Sequence, residues 1–116
     1  MMGIDVTFLP IEHESKDLCY SHTLLPLERR YDLQDEIRRL EPRILGRKIS
    51  SYVGRDKEGE VCYGDTDSDC YGDALTYLTS GELLLVDSAT VEYKNKAIWA
   101  YLRELPADTK IVIYWN

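Results

Sequence analysis

Apolar and polar positions alternate from Ile4 to Phe8, with Ile4, Val6 and Phe8 set against Asp5 and Thr7. Side chains that change face at every residue mark a half-buried strand, so residues 3–9 are expected to be extended and to stop at Pro10. Residues 11–24 carry no period and read as loop with a turn of helix. Pro26 is placed to open a helix, because a first-turn proline gives up an N–H that has no partner there. Leu33, Ile37, Leu40 and Ile44 recur at intervals of four, three and four, the spacing of one helical face. Pro42 should end that helix near Leu40 or Glu41 and leave Ile44 in the linker.

A second strand is expected around Lys48–Val53, and Leu75–Leu78 returns to an extended pattern. Thr79 and Glu82 then form the signature of a capping box, so a short helix should begin near Ser80. A further helix is expected over Tyr93–Leu105, with Ala97, Ile98, Tyr101, Leu102 and Leu105 as its apolar stripe and Trp99 flanking it. Pro106–Thr109 reads as a turn. Lys110–Trp115 is β-branched, aromatic and apolar on both sides, which predicts an interior strand. The pattern therefore predicts an α+β fold of one domain over residues 1–116. Its elements are a three- or four-stranded sheet, two main helices and one short one, with the helices on one or both faces.

Composition sharpens this in two places. The 116 residues are 44% apolar, enough for a packed core without metals or disulfides. Tyrosine dominates the aromatics, nine against one Phe and two Trp. Its ring packs while its hydroxyl seeks a partner, so it favours core edges and binding surfaces. Formal net charge is −7, which argues against direct binding to nucleic acid or to anionic membranes. No stretch reaches the roughly 18 apolar residues of a membrane span. Met1–Asp5 lacks the basic start and apolar run of a signal peptide, so a cytoplasmic location is the expectation. Cys19, Cys62 and Cys70 are then expected as free thiols.

Most of the net negative charge gathers in one place. Residues 55–73 hold seven acids and two bases, in a stretch (54–73) that reads as a long irregular loop, functional or mobile. Within it Cys62-Tyr63-Gly64-Asp65 recurs as Cys70-Tyr71-Gly72-Asp73. Asp65, Asp67 and Asp69 are spaced by two, as in a calcium-binding loop. The strict positions of such a loop are not met: Cys70 stands where glycine is needed and Thr76 where a bidentate glutamate is needed. Cys19-x-x-His22, with His13, Cys62 and Cys70, is a candidate zinc set, although seven residues separate the last two cysteines, more than a zinc knuckle uses. Cys19 or Cys62 with His13 or His22 could also form a nucleophile–base pair. No nucleophile elbow or phosphate loop accompanies them, and no cofactor is expected.

Two stretches carry a resemblance. Lys94–Asn116 (KNKAIWAYLRELPADTKIVIYWN) and Tyr20–Tyr31 (YSHTLLPLERRY) resemble small proteins of bacteriophages and prophages that have no assigned activity. Such accessory proteins often bind and block host machinery, including defence complexes, in the host cytoplasm. The resemblance implies that context. The residues themselves point to a non-enzymatic protein-binding surface at Tyr63, Asp65, Asp67, Asp69, Tyr71 and Asp73, complementary to a basic partner or to a host protein that itself binds nucleic acid. The alternatives are a divalent-metal site using Asp65, Asp67 and Asp69, and a small enzyme using cysteine–histidine chemistry.

Overall fold

A computed structural model describes residues 3–116, with their side chains apart from those of 52–54 and 61–63. Among the described residues the chain forms nine strands and three α-helices. The strands are β1 (Val6–Pro10), β2 (His13–Glu14), β3 (Leu18–Ser21), β4 (Leu25–Pro26), β5 (Arg43–Ile44), β6 (Lys48–Arg55), β7 (Val61–Thr66), β8 (Thr76–Thr79) and β9 (Lys110–Trp115). The helices are α1 (Tyr31–Arg39), α2 (Ser80–Leu83) and α3 (Lys94–Glu104).

The class is α+β as expected, but the strands build two sheets where one was predicted. The first has five strands in the order β4-β1-β9-β8-β5, and the second has four in the order β2-β3-β6-β7. In β9, Ile111 and Ile113 face one side and Val112 the other, and all three are buried. Ile111 and Ile113 pack with Val6, Phe8 and Leu78 against Leu33 and Ile37 of α1, Leu83 of α2 and Ile98, Trp99 and Leu102 of α3. Val112 packs with Leu9 and Leu75 against Cys19 and Ile49 of the second sheet. The five-stranded sheet is therefore the middle layer, between helices and a second sheet. That is why its central strand is apolar on both faces.

β9 is interior, antiparallel to β1 on one side and β8 on the other. The capping box forms as predicted: Thr79 Oγ1 accepts from the Glu82 N–H, and the Glu82 carboxylate accepts from the Thr79 N–H. Other expectations are corrected. Pro26 lies in β4, a two-residue edge strand where its missing N–H is tolerated, and α1 begins five residues later. Residues 11–24 contain β2 and β3 where a loop was read. Trp99 belongs to the core, with its Nε1 donating to the Leu83 carbonyl at 3.1 Å, whereas Tyr101 is exposed. Ile44 is also exposed, in β5 at the sheet edge.

The largest correction concerns 54–73. It is not one irregular loop. β6 and β7 form an antiparallel hairpin, with register shifting at Tyr52/Gly54, and residues 67–75 then turn back to the first sheet. The tip is held by Asp56, whose carboxylate accepts from the Glu58 and Glu60 N–H groups, while Gly59 supplies φ +83°. An Asp-x-x-Gly tip between two extended runs is turn chemistry. The strand β3 is held antiparallel to β2 and, along its whole length, parallel to β6, from Leu18↔Lys48 to Ser21↔Ser51, a contact that no local pattern announces.

Candidate functional site

The second half of the acidic segment is organised by one carboxylate. Asp69 Oδ1 accepts from the N–H groups of Tyr71 at 2.8 Å and Asp73 at 3.1 Å. The Asp69 N–H donates to the Asp73 carbonyl and the Gly72 N–H to the Asp69 carbonyl. Gly72 takes φ +84°, a conformation that strains most side chains. The Cys70 N–H donates to the Trp115 carbonyl at 3.2 Å and anchors the turn to the end of β9. Asp69 is 8% exposed and works inside the turn. Tyr71, two residues on, is pushed out to 53% exposure.

This turn forms one wall of a cleft of about 240 Å³ lined by Ile4, Arg38, Asp69, Tyr71, Asp73 and Trp115. The residues come from four distant parts of the chain. Arg38 arrives on the polar face of α1, and its guanidinium carbon lies 4.3 Å from the centre of the Trp115 ring. Asp35 sits 3.6 Å from the same guanidinium, which fixes the cation across the ring. An aromatic pair, an arginine and an aliphatic residue in one recess is the composition of a binding hot spot.

The six residues singled out in the sequence thus separate. Asp69, Tyr71 and Asp73 share the cleft. Asp65 is on β7 opposite Ser50 and lines a different cleft with Leu9, Leu24 and Tyr114. Asp67 lines a third, beside Lys16, Asp17, Arg47 and Lys48. The Tyr63 side chain lies outside the described residues. Trp115, Arg38 and Ile4 were not anticipated as site residues: Trp115 and Ile4 read as parts of strands, and nothing in the sequence singled out Arg38.

The charge pattern separates acids in use from acids that are free. Bidentate pairing with Arg29 holds the Asp5 carboxyl below its ordinary range. Arg47, with Lys110, does the same for Glu14. Arg30 lowers Asp32, and the Thr79 N–H, with Arg43, lowers Glu82. Arg30 also pairs with Glu92, and Arg39 with Glu36. Most of the arginines are committed in this way. The carboxylates of Asp65, Asp67 and Asp73 enter no ion pair among the described residues. All three residues are exposed.

Among the described residues, the side chains named for the metal and enzyme alternatives are not brought together. Among the described residues no three His, Cys, Asp or Glu side chains gather closely enough to hold a metal ion. Cys19 is fully buried beside Ile49 and Leu45, and burial raises its thiol pKa, which suppresses the thiolate a nucleophile needs. His13 stands opposite Tyr20 in the β2–β3 ladder, their rings 5.6 Å apart, and His22 is exposed. The Cys62 side chain is outside the described residues. No helix is long and apolar enough to cross a membrane among the described residues. Comparison with protein-family models, with curated proteins and with solved structures returned no match.

Proposed function

We propose that this protein acts by binding another protein, with the face built by the 67–73 turn and Trp115 as its contact surface. The observation that carries this is the cleft joining Tyr71, Trp115, Arg38 and Ile4 to the outward carboxylate of Asp73. Tyrosine, tryptophan and arginine contribute most to interfaces because they present large, rigid contact area with a polar handle. Unpaired carboxylates at the rim select a basic partner and speed its approach. The partner class supported by this chemistry is a basic protein, including one whose basic groove normally holds nucleic acid, because carboxylates can occupy phosphate positions. The resemblance of Lys94–Asn116 and Tyr20–Tyr31 to phage accessory proteins supports a role in blocking host machinery in the cytoplasm.

Affinity capture from the native host, read by mass spectrometry, identifies the partner. The test then pairs the wild type with the double variant Tyr71→Ala/Asp73→Lys. Both side chains are exposed, so the thermal unfolding midpoint should stay within a few degrees. Affinity should fall by about thirtyfold or more, since loss of one hot-spot aromatic costs about 2 kcal/mol or more. Asp69 is left unchanged because its substitution removes the turn itself. A variant that binds the partner as tightly as the wild type would show that the interface lies elsewhere.

A further inference from the structure

Two sheets leave four edges, and three of them are short. β2, β4 and β5 have two residues each, and β4 ends in Pro26. Proteins shorten or block edges in this way because unpaired backbone groups invite a foreign strand. β7 departs from the pattern. It is the outer strand of its sheet, six residues long, with neither lysine nor proline in Val-Cys-Tyr-Gly-Asp-Thr. β6 pairs with one side of it, and no strand among the described residues pairs with the other.

A recess lies beside this open edge. The register Ile49↔Thr66 and Ser51↔Gly64 puts Thr66 and Gly64 on the same face as buried Ile49, towards the five-stranded sheet. Asp65, opposite Ser50, alternates to the other face of the strand while still bordering the cleft that its two neighbours line. Gly64 and Thr66 line a cleft of about 350 Å³ together with Leu9, Leu24 and Tyr114. Gly64 contributes no side chain to fill it. Leu24 is 41% exposed, so an apolar wall is accessible from outside.

We propose that β7 accepts an extended segment of another protein as a fifth strand of the four-stranded sheet, with apolar side chains entering the cleft over Leu9, Leu24 and Tyr114 and a basic side chain between them meeting Asp65. This deepens the protein-binding reading and rests on it. Strand addition takes affinity from main-chain hydrogen bonds and specificity from pockets that accept every second side chain, and β7 has both. The alternation required of the guest is apolar, basic, apolar. The basic position follows from cross-strand pairing with the carboxylate of Asp65, which enters no ion pair among the described residues. Charge also decides against a second copy as the guest. Glu58, Glu60, Asp65 and Asp67 flank or lie on this strand, and pairing β7 with itself would bring two such acidic segments together.

The test uses a capped seven-residue peptide of alternating valine and lysine, added to the intact protein at low salt, with amide hydrogen exchange followed by NMR. Saturable binding below about 1 mM, with every second amide of residues 61–66 newly protected, is the expected result. The same peptide with alternate backbone nitrogens methylated should not bind, and Asp65→Lys and Leu24→Glu, both at exposed positions, should each weaken binding about tenfold or more. Absence of binding at about 1 mM overturns the proposal. So does binding that leaves the β7 amides unprotected. If that binding instead perturbs Tyr71 and Trp115, strand addition fails while the protein-binding reading survives. Protection of β7 that rises with protein concentration and needs no peptide would assign the edge to a second copy and likewise overturn it.

Discussion

Asn95 is fully buried on α3, and both ends of its amide are used. Its Oδ1 accepts from the Glu28 N–H at 2.8 Å and its Nδ2 donates to the Glu28 carbonyl at 3.1 Å. One side chain thus completes the backbone of the link between β4 and α1, which has no sheet or helix of its own to satisfy it. Gln34 acts similarly on the Ile4 carbonyl at 2.7 Å. Asn95→Ala should lower unfolding free energy by about 1–2 kcal/mol, because it removes the partner of both the N–H and the carbonyl of half-buried Glu28. Denaturant unfolding measures this, and an unchanged slope with a lower midpoint would attribute it to the native state. At this scale the sequence was least legible. Asn95 sits among charged residues at the start of a helix, and its role depends on a partner 67 positions away. The same holds for Arg38 and Trp115, which meet only after folding.

Elements whose signals are local were the readable ones. The Thr79–Glu82 pair formed its reciprocal cap because both partners lie within one turn. β9 was found because five consecutive β-branched or aromatic residues, Ile111–Trp115, put apolar side chains on both faces. Thr79→Ala should cost about 1 kcal/mol, seen as a drop of several degrees in the thermal midpoint of a domain this size. Thr79→Ser should restore most of it, because serine keeps the accepting oxygen. Elements defined by their neighbours were missed. β2, β4 and β5 are two residues long and exist only as rungs on longer strands. The β6–β7 hairpin was hidden by its composition, since glycine and aspartate in β7 are poor strand formers and the pairing with β6 overrides them. Of the candidate surface, the turn residues were legible from their Asp and Gly content. The aromatic and cationic wall opposite them was not.

For the whole molecule, the set of lowered carboxyl pKa values fixes how it responds to acid. Asp5, Glu14, Asp32 and Glu82 all release protons more readily folded than unfolded. Each therefore adds stability above its unfolded pKa, near the ordinary values of 3.8 and 4.5, and that contribution is lost as pH falls through this range towards the lowered folded values. The denaturation midpoint should be nearly flat from about pH 7 to 5 and drop below about pH 4.5. Glu14→Gln and Glu82→Gln together should flatten the acid limb, since the amide oxygen introduced by the second change can still accept within the cap. A midpoint that falls as steeply in the double variant would place the acid sensitivity elsewhere.

The position of β9 in its sheet has a consequence for how the protein comes into being. A ribosome makes this strand after all eight others, yet it is the one that joins β1 to β8 and supplies the wall shared by both hydrophobic layers. Until those six residues leave the exit tunnel, neither layer can close, and the nascent chain must wait with its apolar strands uncovered. An incomplete chain with that surface exposed is open to misassociation until the joining strand arrives.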